Sequence, residues 1–416
     1  MKPQGSNTLH IIEAYRFKPG RPFSLMLKPV GAECNLNCAY CYYLPSDESA
    51  HKRPGKLKIM SEELLRKAIH ETIRLNNTPE VSFCWHGGEP LLAGVEYFHK
   101  AIDIQKDALV QNHANDKDFF TSGSSKTIIN TIQTNGTLIS RDWCRFFKQN
   151  NFLVGVSIDG PKDIHDSFRV NRAGESMFDK TMAGISMLIE CGVEFNTLST
   201  VNSASEGRGA EVYAFLKNIE DYSREKPGFM QFLPVVAPGE PWSVSAEGYG
   251  QFMKDVFAQW WKCEDAGRVY VQLFDIALAN YMGMQSGLCQ FNPVCGDVPV
   301  LEQNGEIFTC DHFVNRPKSK GYNDFYLGNL KNKNFEELVY SPKIASFGIE
   351  KRSKLPVKCQ RCDYLNLCNG GCPEHRVEKT DGDYNINFLC PGYTDYFRFI
   401  SPYLEIISKN INSNFT

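Results

Sequence analysis

Six short apolar runs, each closing on glycine or polar residues, constrain the fold of this chain more than any other feature. They are FSLMLKPV (23–30), VSFCW (81–85), TIINTIQ (127–133), LVGVSID (153–159), VEFNTLSTV (193–201) and MQFLPVV (230–236). Runs of this length, bounded by turn residues, suit strands buried on both faces. Helical patterns lie between them. SEELLRKAIHETIRL places Ser61 as an N-cap, acids in the first turn, and Leu64, Leu65, Ala68, Ile69 and Ile73 at helical spacing. DWCRFFKQN and FDKTMAGISMLIECG read as further helices. Strand alternating with helix predicts an α/β chain with a parallel sheet and right-handed crossovers. Residues before Arg21 carry no period and read as an extension, and the polar stretch Gln111–Lys126 reads as an insertion or mobile loop.

At 416 residues the chain is long enough for two or three domains. Its 42% hydrophobic and 22% charged residues are those of a globular protein with a sizeable core. The net charge of -3 gives no electrostatic case for nucleic acid or an acidic membrane. No apolar run approaches the roughly 18 residues that span a bilayer, and MKPQGSNTLH lacks a signal-peptide core, so a cytoplasmic protein without membrane or nucleic-acid partners is expected.

Fifteen cysteines are not expected to pair as disulfides in a reducing cytosol, so the clustering of eleven of them points to metal. Cys34, Cys38 and Cys41 form CxxxCxxC directly after the first apolar run. Three soft thiolates can converge on one centre, one fewer than a closed four-ligand site requires. Eight more follow: Cys289, Cys295 and Cys310, then Cys359, Cys362, Cys368, Cys372 and Cys390, enough for two closed sites. Zinc and iron–sulfur clusters both remain open on spacing alone. Between Cys295 and Cys310, VPVLEQNGEIFT reads as a hairpin with Asn304 and Gly305 as a two-residue turn. Cys84, Cys144, Cys191 and Cys263 read as small buried hydrophobes.

The stretch PVGAECNLNCAYCYYL resembles the cluster loop of the radical SAM superfamily, and the array from Cys289 resembles that superfamily's SPASM extension. The resemblance implies a partial (β/α)6 radical SAM barrel with a C-terminal cysteine-rich SPASM domain. The expected organisation is an N-terminal extension (1–22), the barrel (23–240), linker helices (241–288), and a SPASM domain with a C-terminal helix (289–416). It further implies three [4Fe-4S] clusters: one on Cys34, Cys38 and Cys41 that leaves an iron open to S-adenosyl-L-methionine, one on Cys289, Cys295, Cys310 and Cys372, and one on Cys359, Cys362, Cys368 and Cys390. Residues matching positions that contact S-adenosylmethionine are Tyr40, Gly88 and Glu89 of the GGE motif, Ser157, Arg169 and Leu233.

From about Phe23 to the last cysteine, KPVGAECNLNCAYCYYL, WHGGEPLL, IQTNGTLI, VSIDGP, LSTVN, QFLPVV and TCDHF resemble anaerobic sulfatase-maturating enzymes. Such enzymes oxidise a serine or cysteine of an unfolded sulfatase polypeptide to Cα-formylglycine. The resemblance implies that Asp311 is the base, that Tyr43 lies near the substrate, and that flavodoxin or ferredoxin donates electrons. Two rival readings are another SPASM maturase that crosslinks peptides, and a non-catalytic electron-transfer or zinc-scaffold protein.

Overall fold

The computed structural model describes residues 21–43, 57–115, 126–219, 228–284, 287–315, 324–380 and 384–414. The extension before Arg21, most of PKSKGYNDFY and most of the Gln111–Lys126 stretch lie outside them. Residues 111–115 are not loop, as expected from sequence, but the last turn of a helix.

One ten-stranded sheet organises the chain. Strands β1 (Leu25–Lys28), β2 (Glu80–Trp85), β3 (Thr127–Thr134), β4 (Leu153–Ser157), β5 (Phe195–Val201), β6 (Phe229–Pro234) and β7 (Tyr270–Val271) lie side by side in chain order, all parallel. The intervening helices are α1 (Glu62–Leu75), α2 (Val95–Asn115), α3 (Arg141–Gln149), α4 (Lys162–Phe168), α5 (Phe178–Cys191), α6 (Gly209–Ile219) and α7 (Ala246–Lys262). After β7 comes α8 (Gln272–Tyr281). Ser61 caps α1 as its sequence predicts, accepting the Leu64 amide, and Ser140 and Ser245 cap α3 and α7 in the same way.

Side chains alternate along these strands. Leu25, Leu27, Val81, Phe83, Trp85, Ile132, Val154 and Val156 are fully buried, the face that packs under helices. Their neighbours Cys84, Thr131, Gln133, Ser157, Thr200, Gln231 and Leu233 are only partly buried and make a more polar inner face. Packing one face and leaving the other open is what a partial barrel requires.

The cysteine-rich region joins the same sheet. β8 (Val300–Glu302) pairs parallel with β1, placing Met26 opposite Val300, Leu27 opposite Leu301 and Lys28 opposite Glu302. β9 (Glu306–Phe308) and β10 (Tyr326–Asn329) then continue antiparallel. The β8–β9 connection differs from the two-residue turn expected. Gln303, Asn304 and Gly305 form a three-residue loop in which Gly305 has φ +94° and donates its amide to Glu302, the left-handed position that glycine fills without strain.

Beyond the sheet, α9 (Phe335–Val339) and α10 (Pro342–Ser353) lead to single helical turns at Val357–Gln360 and Leu365–Cys368. The long α11 (Cys390–Asn414) returns to pack on α7. Two glycines permit that crossing: a Cβ on Gly250 would lie 2.6 Å from the Gly392 Cα, and one on Gly392 would collide with the Ala246 carbonyl. Among the described residues no helix is long and apolar enough to cross a membrane.

Candidate active site

The site lies at the C-terminal ends of the parallel strands. Cys34, Cys38 and Cys41 sit in the loop after β1, their thiols within electrostatic reach of one another. Burial foremost pushes Cys34 up to about 12 and Cys38 up to about 11, so as free thiols they are held protonated. A cationic metal centre removes that penalty.

Backbone contacts from the next strand shape this loop. The Gly88 amide donates to the Gly31 carbonyl (2.7 Å) and the Glu89 amide to the Glu33 carbonyl (2.8 Å). A Cβ on Gly88 would collide with the Glu33 backbone, so the position accepts only glycine without a shift. The Glu89 carboxylate is engaged within the protein. It accepts the Leu91 amide (3.0 Å), the Thr134 hydroxyl (2.9 Å) and the Asn135 amide (2.8 Å), tying the end of β2 to the end of β3. Burial pushes it up to about 7 against those hydrogen bonds. Asn135, which sequence reading passed over as part of a turn, donates to the Asn35 side chain (2.9 Å) and reaches the Cys34 sulfur (3.8 Å).

A second cluster joins β4 and β5 to the loop. The Asp159 carboxylate accepts from Arg169 Nε (3.0 Å), the Thr200 amide (2.9 Å), the Thr200 hydroxyl (2.6 Å) and the Tyr40 hydroxyl. Burial would raise its pKa, but Arg169 and then His165 hold it below the usual carboxylate range. Arg169, whose guanidinium carbon lies 5.4 Å from the Tyr40 ring centroid, is a buried cation and not a surface ion pair. Ser157 accepts from Gln133 (2.9 Å), and Leu233 stands beside Thr200 in register. Of the six residues expected at the cofactor, Gly88, Glu89, Ser157 and Leu233 lie at or just past strand ends, Tyr40 lies in the cysteine loop, and Arg169, at the C-terminus of α4, meets that loop through Asp159.

Asp311 reaches the same place from the cysteine-rich region. It is buried, ion-paired with Lys28, and accepts the Tyr42 hydroxyl. Burial pushes its carboxyl up, yet Lys28, followed by His86 and His312, holds it well below the usual range. Tyr43, expected near a substrate, is only 4% exposed and donates to Glu302, whereas Tyr42 is 49% exposed. The two tyrosines are adjacent in sequence, and only the path of the loop decides which one faces outward.

The eight later cysteines fall into two groups. Cys289 is within electrostatic reach of Cys295 and Cys372, and Cys310 of Cys372 and Cys289. Cys359 is near Cys390 and Cys362, and Cys368 near Cys359 and Cys390. Two cations unnoticed in the sequence, Lys351 buried and Arg376 half-buried, stand among them. Lys351 donates to the Cys289 and Gln290 carbonyls (2.5 and 2.8 Å), and Arg376 donates to the Gly370 carbonyl (3.2 Å) within reach of thiols from both groups. Eight thiols with a buried and a half-buried cation beside them suit anionic thiolate-ligated clusters.

A cysteine loop with an open ligand position, set at the mouth of a parallel barrel and followed by two four-thiol groups, defines a radical SAM enzyme with an auxiliary iron–sulfur domain. Residues 29–203 match the radical SAM superfamily and residues 295–363 an iron-sulfur cluster-binding domain named SPASM. The serine-type anaerobic sulfatase-maturating enzyme of Bacteroides thetaiotaomicron is 39% identical over 94% of this chain and 92% of its own length. The cysteine-type enzyme of Clostridium perfringens is 32% identical over 94% of this chain and 99% of its own. The solved structure of native anSMEcpe with bound AdoMet and Cp18Cys peptide superposes with a TM-score of 0.78 at 30% identity, covering 94% of this chain and 99% of that one. The chain belongs to the family of anaerobic sulfatase-maturating enzymes.

Proposed function

We propose that this enzyme oxidises a serine or cysteine of an unfolded sulfatase polypeptide to Cα-formylglycine, with Asp311 as the base. The observation that carries this reading is the position of Asp311, next to Cys310 in sequence and beneath the exposed Tyr42 at the strand ends. Cys34, Cys38 and Cys41 would hold the cluster that binds S-adenosyl-L-methionine; Cys289, Cys295, Cys310 and Cys372, and Cys359, Cys362, Cys368 and Cys390, would hold the two auxiliary [4Fe-4S] clusters. When bound, these groups supply the one-electron chemistry, by which a hydrogen atom leaves the substrate Cβ and a further electron is taken up.

The chain's own residues do the rest. Arg169 directs Nε at Asp159 and Nη2 at the Thr200 hydroxyl (3.4 Å), and the rest of its fork would meet a carboxylate, the group a guanidinium pairs with best. Tyr40, Gly88, Glu89, Ser157 and Leu233 would line the cofactor, with the Glu89 carboxylate tying the ends of β2 and β3 together beside it. Asp311, ionised through Lys28, accepts the proton that the substrate's hydroxyl or thiol must lose. For serine the aldehyde results directly; for cysteine a thioaldehyde is hydrolysed.

A small acidic carrier such as flavodoxin or ferredoxin is the proposed electron donor. A cytoplasmic setting is proposed because eleven of the fifteen cysteines are grouped as cluster ligands, an arrangement suited to a reducing compartment. The test is anaerobic reconstitution. About twelve irons per chain are expected, and reductant with S-adenosylmethionine should convert a sulfatase-motif peptide to its aldehyde. Zinc in place of iron, or a crosslinked peptide, would sink this reading.

A further inference from the structure

We infer that Lys28 is the positioning residue of the Asp311 carboxylate, the buried ammonium at the end of β1 that fixes where the base points. This rests on the reading of Asp311 given above. Lys28 has no exposed surface, and a lysine is almost never fully buried unless its charge is used.

Its surroundings show where that charge is directed. Asp311 forms a close ion pair with Nζ, Glu302 lies farther away at 3.7 Å, and the Tyr43 ring centroid is 3.4 Å from Nζ. Glu302 is the in-register strand partner of Lys28, so it is the carboxylate a side chain of ordinary reach would meet first. It is instead held by the Tyr43 hydroxyl, which leaves the ammonium to extend past it to Asp311. The aromatic face below and the carboxylate beside it confine Nζ on two sides.

A purely structural role accounts poorly for this arrangement. Two carboxylates share one cation, and buried ion pairs are weak evidence for stability when apolar packing would serve as well. The pairing also joins the barrel to the cysteine-rich region, because Lys28 comes from β1 whereas Glu302 ends β8 and Asp311 follows β9. Lys28 therefore sets the placement of the base relative to the barrel, and acts on the reaction through Asp311 without touching substrate.

The test uses the cluster-loaded enzyme under anaerobic conditions, with Lys28→Met and Lys28→Arg, each with and without Asp311→Asn. Denaturant midpoints, which need no turnover, should fall for Lys28→Met and be partly restored when Asp311→Asn is added to the same chain. In turnover, aldehyde formed per 5'-deoxyadenosine should fall by at least about tenfold for Lys28→Met. The KM for the peptide should stay near the unmodified value, and Lys28→Arg should regain part of the yield. Additive midpoints would overturn the pairing, and an unchanged yield would overturn the positioning role. If the unmodified enzyme makes no aldehyde from a sulfatase peptide, the functional reading is what has failed, and the midpoints still decide whether Lys28 holds Asp311.

Discussion

Replacing Arg169 by methionine tests how the cofactor end of the site is held together. The change removes the cation that pairs with Asp159, a side chain with no exposed surface, while the Thr200 amide, Thr200 hydroxyl and Tyr40 hydroxyl remain as donors. Breaking one side of a buried ion pair typically costs about 3–5 kcal/mol. With three neutral donors left, the lower end, about 3 kcal/mol, is expected here. The assay is anaerobic urea unfolding of Arg169→Met, Asp159→Asn and the double variant. Because the amide introduced by Asp159→Asn carries no charge to strand, the double variant should recover about 2 kcal/mol relative to additivity.

The pH dependence follows with a definite sign. In the unmodified chain Asp159 titrates below its ordinary value, so its contribution is present above about pH 4 and fades as pH falls through the depressed value. Without Arg169, burial dominates and the folded carboxyl titrates above its unfolded value, a destabilisation that grows as pH rises past about 4. The gap between the two proteins should therefore widen from acid toward neutral pH. A loss under about 1 kcal/mol, flat with pH and additive with Asp159→Asn, would refute the claim that Arg169 neutralises a buried charge.

Three further outcomes are expected. Gly88→Ala pushes a Cβ into the Glu33 backbone and should displace the cysteine loop, lowering iron content by about four of about twelve with loss of S-adenosylmethionine cleavage; a full iron complement would show that the loop tolerates the shift. Asp311→Asn should retain iron and still form 5'-deoxyadenosine while aldehyde formation falls by about 100-fold or more, measured by peptide mass spectrometry. Gly392→Ala drives α11 away from α7 and should cost about 1–3 kcal/mol in urea unfolding, with iron loss confined to the group that includes Cys390.

Much of this architecture was legible because it rests on local signals. Period and capping marked α1, from Ser61 through Leu75, and the β1–β6 runs were short, apolar and closed by turn residues. What local signals do not carry are contacts made across the chain. Nothing local to Glu89 shows that Leu91, Thr134 and Asn135 occupy both its oxygens. Tyr43 and Tyr42 could be told apart only by the loop's path, which buries the first against Glu302 and leaves the second exposed over Asp311. Asn304 and Gly305 signalled a hairpin correctly, but the register of Leu301 with Ile307 leaves three residues in the loop instead of two. Lys28 lies inside the apolar run 23–30, and its partner comes 283 residues later, in a segment read as a separate domain.

That last contact explains why the cysteine-rich region cannot be regarded as an appendage to the barrel. β1 needs a neighbour on the side away from β2, and the sheet supplies β8 there instead of closing onto β6 or β7. Val300 and Leu301 are fully buried in that position, so the pairing is driven by apolar burial as well as by the ladder. Once β8 is in register, the three-residue loop turns the chain into antiparallel β9, and Cys310 and Asp311 follow directly, with Asp311 paired to Lys28 at the end of β1. Slipping β8 by one residue would turn Val300 and Glu302 to the opposite face and take Glu302 out of line with Lys28. The register that buries the apolar residues is thus also the register that delivers the base, so docking the second region and assembling the site are one structural event.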